Sequence, residues 1–167
     1  MLNLTFVCLG NVFRSVYAEK QFKKMLSERN VRDISVHSTG FVRLQYGEPE
    51  HLNILENSDL VLVMEDGLKD LVKRFNDTVE IYTLKEYVDS DAEDVDIGDP
   101  MGGNEAFEEE IDACLNRLLE KLIQDGCVVV RVEEVGESSG RNDQDHKFSN
   151  ALEDLLDVSI ALSSARD

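Results

Sequence analysis

One thiol, one guanidinium and one hydroxyl fall within eight residues of each other near the start of the chain, in Cys8-Leu9-Gly10-Asn11-Val12-Phe13-Arg14-Ser15. Leu2, Leu4, Phe6 and Val7 before them read as a short buried strand, and Val16 to Phe22 after them opens an amphipathic helix. A loop between a strand and a helix N-terminus exposes unpaired backbone N–H groups and the positive end of a helix dipole, which suits a phosphate dianion. The same field favours thiolate over thiol at Cys8, the form that acts as a nucleophile. Arg14 adds a planar fork of donors matched to phosphate oxygens. Gly10 allows close backbone approach, Asn11 tolerates a left-handed conformation, and Ser15 brings a hydroxyl beside the sulfur. The chemistry implied is attack by a cysteine on a phosphate ester.

The elements that would hold this loop follow an α/β pattern. Strands are expected at about 2–7, 34–38, 60–64 and 79–82, and helices at about 15–29, 49–57, 66–75 and 104–124. This predicts an open four-stranded parallel sheet with helices on both faces. In the order 2-1-3-4, the Cys8 loop leaves the first strand where strand order reverses, the usual ligand position of such sheets. The last helix carries Phe107, Ile111, Leu115, Leu118, Leu119 and Leu122 on one side and should close the domain; Cys114 within it reads as a packing residue.

With 167 residues and 42% apolar side chains, the chain can build one domain with a real core. Seventeen basic against thirty-five acidic side chains give a net charge of −18, which disfavours nucleic acid and anionic membrane as partners. The local cradle must then overcome a long-range repulsion of phosphate esters. No apolar run is long enough to cross a membrane, and the first residues lack the basic flank of a secretory signal. Three cysteines without framework spacing fit reduced thiols, so a cytoplasmic location is expected. No cofactor or metal is called for. His37, His51 and His146 have no zinc-like spacing with cysteine. The acidic stretch Asp89, Asp91, Glu93, Asp94 and Asp96 lacks the glycine and glutamate of a calcium loop, Asp94 and Pro100 standing there instead, and reads as a solvated loop.

Val7 to Ser15 resembles the phosphate-binding loop of the low-molecular-weight protein tyrosine phosphatase family. Far downstream, Asp99-Pro100-Met101-Gly102-Gly103 is similar to that family's aspartate-proline loop. Ser38-Thr39-Gly40, Asp59 to Met64, and Tyr82 to Tyr87 add to the likeness, which covers about residues 1 to 124. The resemblance implies the phosphotyrosine protein phosphatase I-like fold and hydrolysis through a cysteinyl-phosphate intermediate. Cys8 would be the nucleophile, Arg14 would bind the transferring group with the amides of Leu9, Gly10, Asn11, Val12, Phe13 and Ser15, and Asp99 would be the general acid. Asn11 would brace the loop. Pro100 restricts Asp99 to extended conformations. The substrate would be a phosphorylated protein or a small phosphoester, and the product inorganic phosphate.

Several positions depart from the family pattern. Phe13 replaces a frequent second cysteine, which removes the possibility of a protective disulfide in the loop. Val16 replaces a proline. Met101 stands where an aromatic residue commonly stacks on the substrate. The interval between Gly40 and the third strand is much shorter than usual and lacks a helix, part of the pocket wall and a loop-ordering histidine, whose spacing His51 does not match. Phosphotyrosine is the leading substrate, since Val12 resembles the branched aliphatic residue of that branch. Phosphoarginine is the alternative, from the strings Thr83 to Val88 and Asp99 to Gly103, although that branch usually has threonine at the position of Val12 and phenylalanine at that of Met101. A non-catalytic phosphate-binding module is a further alternative. Arsenate reduction is disfavoured, because Cys114 and Cys127 lack the spacing of a cysteine relay.

Residues 1–126 are thus expected to form the catalytic domain and residues 127–167 a C-terminal extension. Within the extension, Cys127 to Val132 reads as a strand, Gly136 to His146 as a polar linker and Ala151 to Leu162 as a helix.

Overall fold

A computed structural model describes residues 1–132. Strand β1, Leu2–Cys8, lies inside a four-stranded sheet between β2, Ile34–Gly40, and β3, Leu60–Val63; β4, Glu80–Thr83, pairs with β3. All pairings are parallel and the order is β2-β1-β3-β4, so the reversal falls at β1 as expected. The register sets Cys8 opposite Gly40 and Val7 opposite both Thr39 and Val63.

Alternation along the strands builds a core on each face. Leu4, Phe6 and Cys8 join Leu60, Leu62 and Met64 on the side covered by helix α1, Arg14–Glu28, and a long C-terminal helix, Phe107–Gln124. From α1 come Ala18, Phe22 and Leu26, and from the C-terminal helix Ile111, Leu115, Leu118, Leu119 and Leu122. Val7, Val61 and Val63 point to the opposite face. There they meet Leu44 of α2, Phe41–Gln45, Leu55 of α3, Pro49–Glu56, and Leu68 and Val72 of α4, Leu68–Lys73. A further short helix, α5, Leu84–Val88, follows β4, and the C-terminal helix is α6.

Two differences from the sequence reading have physical causes. Helices α2 and α5 have five residues each, too short to carry a helical periodicity. They are held from outside, α5 by a capping box in which Thr83 Oγ1 accepts from the Glu86 N–H and Glu86 Oε2 accepts from the Thr83 N–H. The strand expected over Cys127 to Val132 is absent. An isolated antiparallel bridge joins Val130 to Val31, and Val128 is buried in the α1/α6 core. The apolar run there is anchored by the packing of Val128 and has no strand partner beyond the bridge. The linker and helix expected beyond Gly136 lie outside the described residues. Among those described, no helix is long and apolar enough to cross a membrane.

Candidate active site

Cys8 ends β1 with its side chain only 3% exposed. The chain then turns sharply. Asn11 takes the left-handed conformation at φ 56°, and its N–H donates to Cys8 Sγ at 3.2 Å. Helix α1 begins at Arg14 without a capping side chain, leaving its first-turn amides at the loop. Ser15 Oγ is 2.9 Å from Cys8 Sγ, 2.9 Å from Asn11 Oδ1 and 3.3 Å from the Thr39 carbonyl oxygen. Ser15 thus joins the sulfur to the residue that shapes the loop. Gly40 supports it from β2, where a Cβ would lie 2.6 Å from the Asn11 backbone nitrogen. No side chain fits there unless the loop moves.

Arg14 is 3% exposed and held on two sides. Its Nη1 donates to Glu65 Oε1, just after β3, and to the Ile97 carbonyl at 2.7 Å. Its Nη2 is 3.8 Å from Asp99 Oδ2. Five N–H donors leave the guanidinium others to offer once these contacts are made. The loop bearing Asp99 is fixed from below: Ile97 is fully buried, its N–H donates to the Met64 carbonyl, and Asp96 Oδ1 accepts from the Asp66 N–H. Asp99 is extended at φ −69° and ψ 130°, as the following proline requires, and caps a single turn, Pro100–Gly102, by accepting from the Met101 N–H at 2.9 Å.

The structure therefore brings Cys8, Arg14, Ser15, Asn11 and Asp99 together. Leu9, Val12 and Phe13 form an exposed apolar rim at 46%, 58% and 44%, and Met101 is 82% exposed on the turn after Asp99. Glu65, the Ile97 carbonyl and Gly40 belong to the site but escape the sequence reading, because sheet register and not a local motif brings them to Arg14 and Asn11. His51, whose spacing does not match the family's histidine, nevertheless lies behind the loop: its Nδ1 is 2.9 Å from Thr39 Oγ1, and Thr39 is the residue whose carbonyl faces Ser15. It comes from α3 inside the shortened interval, which sequence distance does not reveal. The acidic stretch before Asp99 is in part a framework, since Asp89, Asp94 and Asp96 all accept from backbone N–H groups.

The model of the low molecular weight phosphotyrosine protein phosphatase family matches residues 3–56 and 45–134. The chain belongs to that family. The two matched stretches meet within the shortened interval between β2 and β3. A similar relative is the low molecular weight protein-tyrosine-phosphatase PtpA of Staphylococcus epidermidis, 29% identical over 148 residues that cover 75% of this chain and 96% of the relative. Among solved structures, the YwlE arginine phosphatase, in a cysteine-to-serine variant with a phosphorylated active-site serine, matches with a TM-score of 0.59 and 26% identity, covering 73% and 96% of the two chains. A low molecular weight protein tyrosine phosphatase from Bacillus subtilis matches at 0.58 and 25%, covering 74% and 98%.

Proposed function

We propose that this family member is a cysteine-dependent phosphatase of phosphotyrosine in proteins. The observation that carries the reading is the convergence of Cys8 and Arg14 on one loop with Asp99 on the facing loop, within 3.8 Å of the arginine. In the first step Cys8 Sγ attacks phosphorus, the bond to the leaving oxygen breaks, and Asp99 gives that oxygen a proton. Arg14 and the loop amides hold the equatorial oxygens as charge redistributes. In the second step Asp99, now a carboxylate, takes a proton from the attacking water. The phosphorus–sulfur bond breaks and inorganic phosphate leaves. The phosphorylated active-site serine of the YwlE variant supports a phosphoryl group on the residue in that position.

Ser15 has one hydroxyl hydrogen for three neighbours. With Cys8 as a thiol, that hydrogen goes to Asn11 or Thr39; once Cys8 is a thiolate, donation to sulfur stabilises it as nucleophile and, in the second step, as leaving group. Glu65 and the Ile97 carbonyl would hold Arg14 in its bound orientation.

The choice of phosphotyrosine over phosphoarginine rests on the rim. Leu9, Val12 and Phe13 offer apolar surface to a phenyl ring and no side-chain acceptor for a guanidinium. The reduced thiol suits the cytoplasm, the phosphorylated protein is the partner, and the net charge disfavours nucleic acid and anionic membrane. Phosphotyrosine and phosphoarginine peptides of matched sequence, assayed side by side with Cys8→Ser as the blank and orthovanadate as inhibitor, test the reading. Cys8-dependent turnover favouring phosphotyrosine is expected. Preference for phosphoarginine would reassign the substrate, and no Cys8-dependent turnover of either would support a binding module.

A further inference from the structure

A groove of about 950 Å³ runs along the outer edge of the sheet, between the C-terminal part of α1 and strand β2. Leu26, Val31 and Val36 beneath it are buried, and the apolar side chains it leaves partly exposed are Ile34 and Val130. Lys23, Arg29, Arg32 and Arg131 line it, with Glu28 as the one carboxylate among the lining residues. In a chain with thirty-five acidic and seventeen basic side chains this is a local reversal of sign. Neither Arg29 nor Arg131 has an ion pair among the described residues, whereas Lys23 pairs with Glu19 at 3.2 Å.

The described chain also ends at this groove. Val130 bridges to Val31, the Arg131 N–H donates to the Asn30 carbonyl at 3.1 Å, and Asn30 Nδ2 donates to the Arg131 carbonyl at 2.7 Å. The downstream sequence complements it. Residues 151–162, Ala-Leu-Glu-Asp-Leu-Leu-Asp-Val-Ser-Ile-Ala-Leu, combine three carboxylates with eight apolar side chains and no base. Eighteen residues, 133–150, join them to Val132. A chain of that length can span at most about 60 Å. The stretch of β2 from Ile34 to His37 spans only about 10 Å.

We propose that this groove is the docking site of the chain's own segment 151–162, its apolar side chains on Ile34 and Val130 and its carboxylates on the arginine rim. The covalent connection makes docking intramolecular, so modest contacts suffice. A second copy of the chain is the poorer occupant, because two-fold pairing of this edge would set one arginine rim against another and join two bodies of charge −18.

Hydrogen exchange of the full-length chain tests this. Arg29→Glu with Arg131→Glu, or Glu153→Lys with Asp154→Lys and Asp157→Lys, should each speed amide exchange over residues 31–37 by about fivefold or more, and combining the two sets should return it most of the way to wild type. Raising salt on the wild-type chain should have the same effect as either set, which keeps the test open if a variant folds poorly. Hydrolysis of a small aryl phosphate should be unchanged throughout. Exchange indifferent to both sets and to salt would overturn the proposal, as would failure of the combined set to restore protection, or protection that falls on dilution and so reports a second copy.

Discussion

Replacing the Ser15 hydroxyl should separate the two chemical steps, because its single hydrogen matters most to sulfur when sulfur must leave. Ser15→Ala is expected to slow breakdown of the phosphorylated enzyme more than its formation, so a pre-steady-state burst of leaving group appears where the wild type shows a smaller one or none. A rate loss without a burst would place Ser15 in loop architecture alone. Asp99→Ala should lower kcat by about 10²–10⁴-fold with poor leaving groups and less with good ones, the pattern of a lost proton donor. An equal effect across leaving groups would remove it as the acid. Gly40→Ala pushes a methyl to within 2.6 Å of the Asn11 nitrogen and should reduce kcat/KM strongly while leaving the fold intact, as checked by circular dichroism beside the assay. Cys8, Asn11, Arg14 and Ser15 were legible in the sequence because the chemistry is contiguous. Asp99 was legible only with the family pattern beside it. Glu65, Gly40 and His51 were not, since each reaches the loop through the register of β2, β1 and β3 or through a helix whose length the sequence does not announce.

Among the secondary-structure elements, the site depends on short pieces gathered at the carboxyl ends of the strands. Helix α5 is held by Glu86, which caps Thr83 and pairs with Lys69 at 2.9 Å. Burial pushes the Glu86 carboxyl up, but the hydrogen bonds from Lys69 and Thr83 outweigh it and hold the group below its ordinary 4.5. Lys69 moves up from 10.5, through its bonds to Asp66 and Glu86. A lowered carboxyl stabilises the fold above its unfolded value and loses that contribution as pH falls through the folded one; a raised lysine does so below 10.5 and loses it as pH rises. Urea unfolding should therefore show a fall in stability on acidification below about pH 4.5. Glu86→Gln should flatten part of that fall while costing about 1 kcal/mol at neutral pH. An undiminished acid response in the variant would assign it to other carboxylates. Ile97→Ala empties a fully buried site under the Asp99 loop and should cost about 2–4 kcal/mol, measured by the same unfolding, with the greater catalytic loss on poor leaving groups. The four strands and α1, α3, α4 and α6 could be read from periodicity within a few residues. Helices α2 and α5 could not, because five residues make barely one turn and their stability comes from caps and tertiary contacts.

Across the whole molecule, a body of charge −18 must bind a dianion through a cradle a few ångströms wide. Long-range repulsion and short-range attraction respond differently to salt. Exposed charges separated by more than about 8 Å are largely screened near physiological ionic strength, whereas the buried Arg14 is screened much less. For acidic phosphopeptides kcat/KM should rise with moderate salt and kcat should change little. A monotonic fall would mean that exposed cations near the site guide the substrate. The sheet order was legible because a nucleophile loop after the first strand suits a reversal there and the family resemblance implies the same order. The run Cys127 to Val132 misled, since apolar alternation does not tell a strand from a segment pinned by one buried valine and one bridge.

Every catalytic role assigned above depends on a covalent phosphoryl group on Cys8. Mixing the full-length protein with a phosphotyrosine peptide, quenching within milliseconds and mapping the adduct by mass spectrometry looks for it without an intermediary. One phosphoryl group is expected on the peptide containing Cys8, more abundant in Ser15→Ala and absent from the unmixed protein. Turnover with no such adduct in either protein, or a phosphoryl group mapped to another residue, would refute the mechanism.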